Sequence, residues 1–206
     1  WLGDHVRLGL TTNVNEQDAD DSSLNAADLT FRMAAETWLK VQHGQSEGLI
    51  QLPQLSADGG FGFQAYDPNS FTNAKASANR VDLSLSSKDL INRGNARLTV
   101  YTQDVEAGYS APGMAALTDT SNYGGSFSLP IGERVSVGAK LDFLEQEQGL
   151  ESSAQEINVG YRIGENWDVS AGYRVDERVD NSPVVALTQE EGERADAVVQ
   201  FGYDSH

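Results

Sequence analysis

A chain of 206 residues without cysteine excludes disulfides, zinc–thiolate centres and cysteine nucleophiles. Its net charge of −17 sets it against nucleic acid, a polyanion that so acidic a chain repels. No apolar run reaches the roughly 18 residues of a membrane-crossing helix, but a membrane barrel stays open to such a sequence, because only alternate strand residues face lipid. Twenty glycines against five prolines suit long strands with one crowded face. The chain starts at Trp1 without a basic and apolar leader, which predicts a processed chain or a piece of a larger one.

Residues 5–13 form the first predicted strand, with Val6, Leu8, Leu10 and Thr12 on one face. Period two sends successive side chains to opposite faces. An acidic link follows. In it, Asp18, Asp20 and Asp21 are candidate ligands for a divalent cation such as calcium, which prefers several oxygens. The spacing lacks the glycine and terminal glutamate of an EF-hand loop, and a solvated acidic loop is the plainer reading. No other cofactor is expected.

Residues 28–42 carry the longest alternation: Leu29, Phe31, Met33, Ala35, Thr37, Leu39 and Val41 against Thr30, Arg32, Ala34, Glu36, Trp38 and Lys40. Met33-Ala34-Ala35-Glu36 favours helix, yet the unbroken period predicts one long strand.

Residues 43–76 are irregular and are read as a long loop or plug-like insertion within a single β-barrel domain, 1–206. Pro53 confines any strand at 49–55 to an edge. Gly44-Gln45-Ser46-Glu47-Gly48 fits G-x-S-x-G, but a nucleophile elbow needs a strand before it and a helix after it, and Pro53 follows too soon for a helix. The pentapeptide is read as a turn. The three histidines, His5, His43 and His206, are far apart in sequence. No catalytic residue is assigned, and the chain is expected not to be an enzyme.

Alternation resumes at 79–87, 96–105, 122–129 and 134–144. It is clearest at 154–176, where Ile157, Val159, Tyr161 and Ile163 precede the turn Gly164-Glu165-Asn166, and Trp167, Val169, Ala171, Tyr173 and Val175 follow it. A last strand is predicted at 195–203. About nine strands are counted, and a tenth at 49–55 would make the number even, as bacterial barrels prefer. Short links (88–95, 130–133, 164–166) alternate with long ones (106–121, 145–153, 176–194). In an up-and-down meander this puts the long loops at one end, as in outer-membrane barrels. The predicted fold is therefore all-β: an antiparallel up-and-down meander, as a membrane β-barrel or barrel segment of about 8–10 strands.

The opposite face of these strands is charged. Arg32, Glu36, Lys40, Arg80, Asp82, Arg97, Lys140, Asp142, Arg162, Asp168 and Arg174 are the residues expected to line a lumen and to pair across strands. Trp167 and Tyr123 sit near strand ends, where an interfacial aromatic belt would place them, although core aromatics are an equal reading.

The runs 80–85 (RVDLSL), 109–113 (YSAPG), 150–160, 167–173 (WDVSAGY) and 187–194 (LTQEEGER) resemble the barrel-type region of large Gram-negative outer-membrane proteins of the OmpA-family or surface-repeat type. The resemblance implies placement in the outer membrane, with lipid and lipopolysaccharide as surroundings, and names no substrate. The chain lacks a peptidoglycan-binding domain and the terminal aromatic of such barrels, which predicts a piece of a larger chain. The expected function is a passive pore for small solutes or a structural surface scaffold. The alternative is a soluble or secreted β-sandwich or β-barrel, its apolar face inward, binding a ligand or protein partner.

Overall fold

The computed structural model describes residues 2–15, 22–48, 54–55, 64–65, 75–112, 114–147, 149–181 and 191–203. Ten strands form one antiparallel sheet and follow one another across it in chain order. They are β1 (Val6–Asn15), β2 (Ser22–Arg32), β3 (Trp38–Glu47), β4 (Lys75–Ser86), β5 (Arg97–Val105), β6 (Thr120–Ile131), β7 (Val135–Gln146), β8 (Leu150–Ile163), β9 (Trp167–Asp180) and β10 (Gly192–Tyr203). One short helix, α1 (Ser87–Ile91), joins β4 to β5. Two small strand pairs stand outside the sheet: Gln54–Leu55 with Gln64–Ala65, and Ser110–Ala111 with Met114–Ala115. The all-β antiparallel meander expected from period two is therefore present, with β1 and β10 as its two edges.

The long strand expected at 28–42 is instead a hairpin. β2 ends at Arg32, the chain reverses, and β3 starts at Trp38. Met33 and Ala34 donate their N–H groups to the Thr37 carbonyl, at 2.9 and 3.2 Å. Glu36 consequently sits in the turn and not on a strand. The Asp89 carboxylate of α1 holds the turn by accepting the Glu36 N–H at 3.0 Å.

This hairpin supplies the tenth strand. The one expected at 49–55 is replaced, where described, by the isolated Gln54–Leu55 pairing; residues 49–53 lie outside the described residues. β3 runs to Glu47 and β4 begins at Lys75, so the insertion is shorter than 43–76 and the G-x-S-x-G run is mostly strand, not turn. The link expected to be long at 145–153 is also corrected. β7 and β8 extend to Gln146 and Leu150 and meet through a tight turn whose Gly149 N–H donates to Gln146 O at 2.9 Å.

A sandwich would bury the apolar face against a second sheet. Here that face meets no other layer among the described residues. Leu10 is 77% and Phe201 72% exposed. Among the described residues the buried apolar cluster is small: Leu24, Ala76, Val105, Tyr109 and Ala116. Leu24 pairs with Ser46, and Ser46 with Ala76, which places this cluster on the polar face near the loop end.

Candidate functional site: the charged face and the loop folded onto it

Residues directly opposite each other on neighbouring strands share a face, so the register assigns every strand residue to one side. One row of partners runs from Val6 through Phe31, Leu39, Leu83, Val100, Gly125, Leu141, Gln155 and Val175 to Ala195. All but two of these are apolar, and the same face carries the exposed Leu8, Val159, Tyr161 and Val199.

This row starts at the first residue of β1 but meets β10 at Ala195, well above its last residue, Tyr203. At ~3.3 Å per residue and ~4.8 Å between strands, that stagger tilts the strands by roughly 30°, close to the tilt of a barrel wall. Along β9 the apolar side chains run from Trp167 to Val175, and Glu177 follows. The distance from Trp167 to Val175 is about 27 Å along the strand, or roughly 23 Å after tilt, near the height of the apolar band on outer-membrane barrels. Carboxylates end the band on other strands too: Glu47, Asp104, Glu145, Glu151 and Glu193. Trp167 packs on Tyr203 with ring centroids 4.7 Å apart at one end, and Tyr123 stacks on Phe143 at 5.1 Å nearer the other.

The second face is the charged one. Arg32, Lys40, Arg80, Asp82, Arg97, Lys140, Asp142, Arg162, Asp168 and Arg174 all project from it. Glu36 reaches it from the β2–β3 turn, its carboxylate 2.8 Å from Arg97. Both partners are half exposed, so a double-mutant cycle with Glu36→Gln and Arg97→Gln is expected to give a coupling of at most about 1 kcal/mol in urea unfolding.

Arg80 contacts Asp82 through Nε and Nη2, donates through Nη1 to Gln103 Oε1 at 2.8 Å, and lies over the Tyr101 ring at 5.1 Å. The Tyr101 hydroxyl donates to the Asp142 carboxylate. Arg174 meets Asp176 at 2.7 Å and Glu156 at 4.0 Å, and Glu156 also faces Lys140 at 3.8 Å.

Sequence reasoning missed Glu156, Asp176, Arg178, Asp180 and Arg194 as members of this face. A signal was present: Arg-x-Asp recurs as Arg80-Val81-Asp82, Arg174-Val175-Asp176, Arg178-Val179-Asp180 and Arg194-Ala195-Asp196. Period two puts both charges of each triplet on one side, and all four triplets form ion pairs, at 2.7 to 3.6 Å.

At the loop end, the described residues of the 106–119 loop fold back onto the charged face. The Glu106 carboxylate accepts the Ser77 N–H at 2.7 Å, and Ala107 N–H donates to Asp119 at 2.6 Å. Ala116 N–H donates to Tyr109 O at 2.9 Å and Gly108 N–H to Ala116 O at 2.8 Å, at the base of the small Ser110–Ala111/Met114–Ala115 hairpin. Ser110 N–H then donates to Ser46 Oγ at 2.9 Å. Both serines are buried, with Ser46 only 1% exposed. The Tyr109 ring lies against Gly44, where a Cβ would sit 2.5 Å from the phenol oxygen. Burial raises the Tyr109 phenol above the ordinary tyrosine value.

Asp18, Asp20 and Asp21 lie outside the described residues. Among the described residues, no group of three or more His, Asp or Glu is placed to hold a metal ion.

No protein-family profile and no curated relative matches the chain. Among solved structures it is similar to "OmpT (in-vitro folded), an outer membrane protein of Vibrio cholerae", at 12% identity and a TM-score of 0.49. The match covers 98% of this chain and 62% of that one, so the chain spans about three fifths of the length of its structural relative.

The expectation that the chain is not an enzyme is corrected and does not stand. It rested on histidines distant in sequence, and the sheet removes that ground. His5 bonds the Arg32 carbonyl and His43 the Asn79 side chain, although 27 and 36 residues separate the partners.

Proposed function

We propose that this chain is part of the wall of an outer-membrane β-barrel of a Gram-negative bacterium, of the large OmpA-family or surface-repeat type, acting as a passive pore for small solutes. One observation carries the reading: a ten-stranded sheet exposes a continuous apolar band on one side and keeps its ion pairs on the other. Water gives no reason to hold so many large apolar side chains on the surface of one sheet, whereas lipid does. Antiparallel pairing satisfies the backbone inside the bilayer, and the apolar band and aromatic rings meet lipid and lipopolysaccharide. The charged face then lines the lumen, and the 106–119 loop narrows it. The insertion between β3 and β4 belongs to the same domain, and acidic loops at the rim attract divalent cations.

A structural scaffold is the second reading. It is favoured by the same loop, which fills part of the polar side with Tyr109 and Ala116. The purified chain is expected to fold only with detergent or lipid, and a folded monomer in plain buffer would sink the barrel reading. In a planar bilayer the pore gives stepwise ohmic current. A folded but silent protein leaves only the scaffold.

A further inference from the structure

The first turn of the described chain repeats two of the sheet's tight hairpin turns. Leu2 and Val6 form an antiparallel bridge, Leu2 N–H donating to Val6 O at 2.7 Å. Between them lie Gly3-Asp4-His5, with Gly3 at φ 66°. The β6–β7 turn bridges Ile131 to Val135 across Gly132-Glu133-Arg134, with Gly132 at φ 64°. The β8–β9 turn bridges Ile163 to Trp167 across Gly164-Glu165-Asn166, with Gly164 at φ 74°. In each, an aliphatic residue precedes a left-handed glycine, which no side chain replaces without strain, and an acid follows.

In the other two turns the bridged pair is the last rung between two full strands. Here only one arm, β1, is a described strand. The second arm must run along the side of β1 opposite β2, because β2 pairs with β1 over its whole length. The backbone groups confirm the side. His5 O accepts the Arg32 N–H, toward β2, while Val6 O accepts Leu2, away from it. By the antiparallel alternation, Leu8, Leu10, Thr12 and Val14 also point their N–H and C=O groups to that outer edge.

We propose that the outer edge of β1 takes an antiparallel strand formed by the same polypeptide on the N-terminal side of Leu2. Its register continues the Leu2–Val6 rung, so the third residue before Trp1 stands opposite Leu10. The inference rests on the turn and holds whether the apolar face meets lipid or water.

The chain has no cysteine, so introduced thiols report cleanly. In the native polypeptide that contains this chain, Leu10→Cys is paired with a cysteine at the third residue before Trp1. Oxidation or a short bis-maleimide is expected to link them in the folded protein and not in urea. Amides of Leu8, Leu10 and Thr12 should exchange at least tenfold more slowly there than in the chain truncated at Trp1. The proposal is overturned by a Leu10→Cys link to Val199→Cys on β10 instead, which would mean closure of this sheet on itself. It is equally overturned by unchanged exchange with no link, or by a native polypeptide whose first residue is Trp1.

Discussion

Ala171→Arg is expected to destabilise the bilayer-embedded sheet by about 2–4 kcal/mol, the cost of an arginine at mid-depth on the lipid side of a barrel. Ala171 stands between Val159 and Val199, midway along the apolar run from Trp167 to Val175. Its neighbour Ser170 projects from the other face, opposite Gly160 and Gln200. Ser170→Arg is expected to change stability by no more than about 0.5 kcal/mol. The new guanidinium would lie two residues from Asp168, the spacing at which Arg174 meets Asp176. The two variants add the same charge one residue apart, so their difference reads the faces directly. Urea unfolding in liposomes, followed by tryptophan fluorescence, measures it. Equal small losses would mean that both faces see water, and the lipid reading would fall.

The faces were legible because period two survives wherever a strand is half solvated, by lipid or by water. The failures have local causes. In an antiparallel hairpin the two numbers of every opposed pair have a constant sum. For β2 and β3, Phe31 faces Leu39, so that sum is even and the two strands share parity. The alternation therefore passes through the turn unbroken. Two other tight even-sum hairpins, β6–β7 and β8–β9, announce themselves with Gly132 and Gly164, but Met33-Ala34-Ala35-Glu36-Thr37 holds neither glycine nor proline. The reversal was hidden inside a helix-favouring run.

The 145–153 error arose differently. There the strands climb past the apolar band, and Glu145 faces Glu151 across β7 and β8. Polarity marked the upper edge of the band, not the end of the strands. The charged face was legible for the same reason as the apolar one. The loop packed onto it was not, because Ser110 meets Ser46 across 64 residues and no local pattern encodes that contact.

Tyr109→Ala is expected to release the 106–119 loop from the charged face and to raise conductance through the reconstituted protein. Tyr109 is the largest member of the buried cluster, 8% exposed, and truncating a buried aromatic ring costs about 3–5 kcal/mol. Polar contacts such as the Ser110–Ser46 and Glu106–Ser77 bonds and the hairpin's own bonds would then hold the loop without the ring, at about 1 kcal/mol each. Gly44→Val tests the same contact from the wall side, since its Cβ would displace the phenol. Alkali gives a third approach. Burial raises the phenol's pKa in the docked loop, so above the ordinary value of about 10 the docked loop holds a proton that the released loop has lost. Docking is therefore intact below about pH 10 and weakens as pH rises through the docked value. A fluorophore on Met114→Cys should report release between about pH 10 and the docked value in the wild-type loop and no such transition in Tyr109→Phe. Identical alkaline responses in the two proteins would remove Tyr109 as the titrating group, and unchanged conductance in Tyr109→Ala would remove the loop as the constriction.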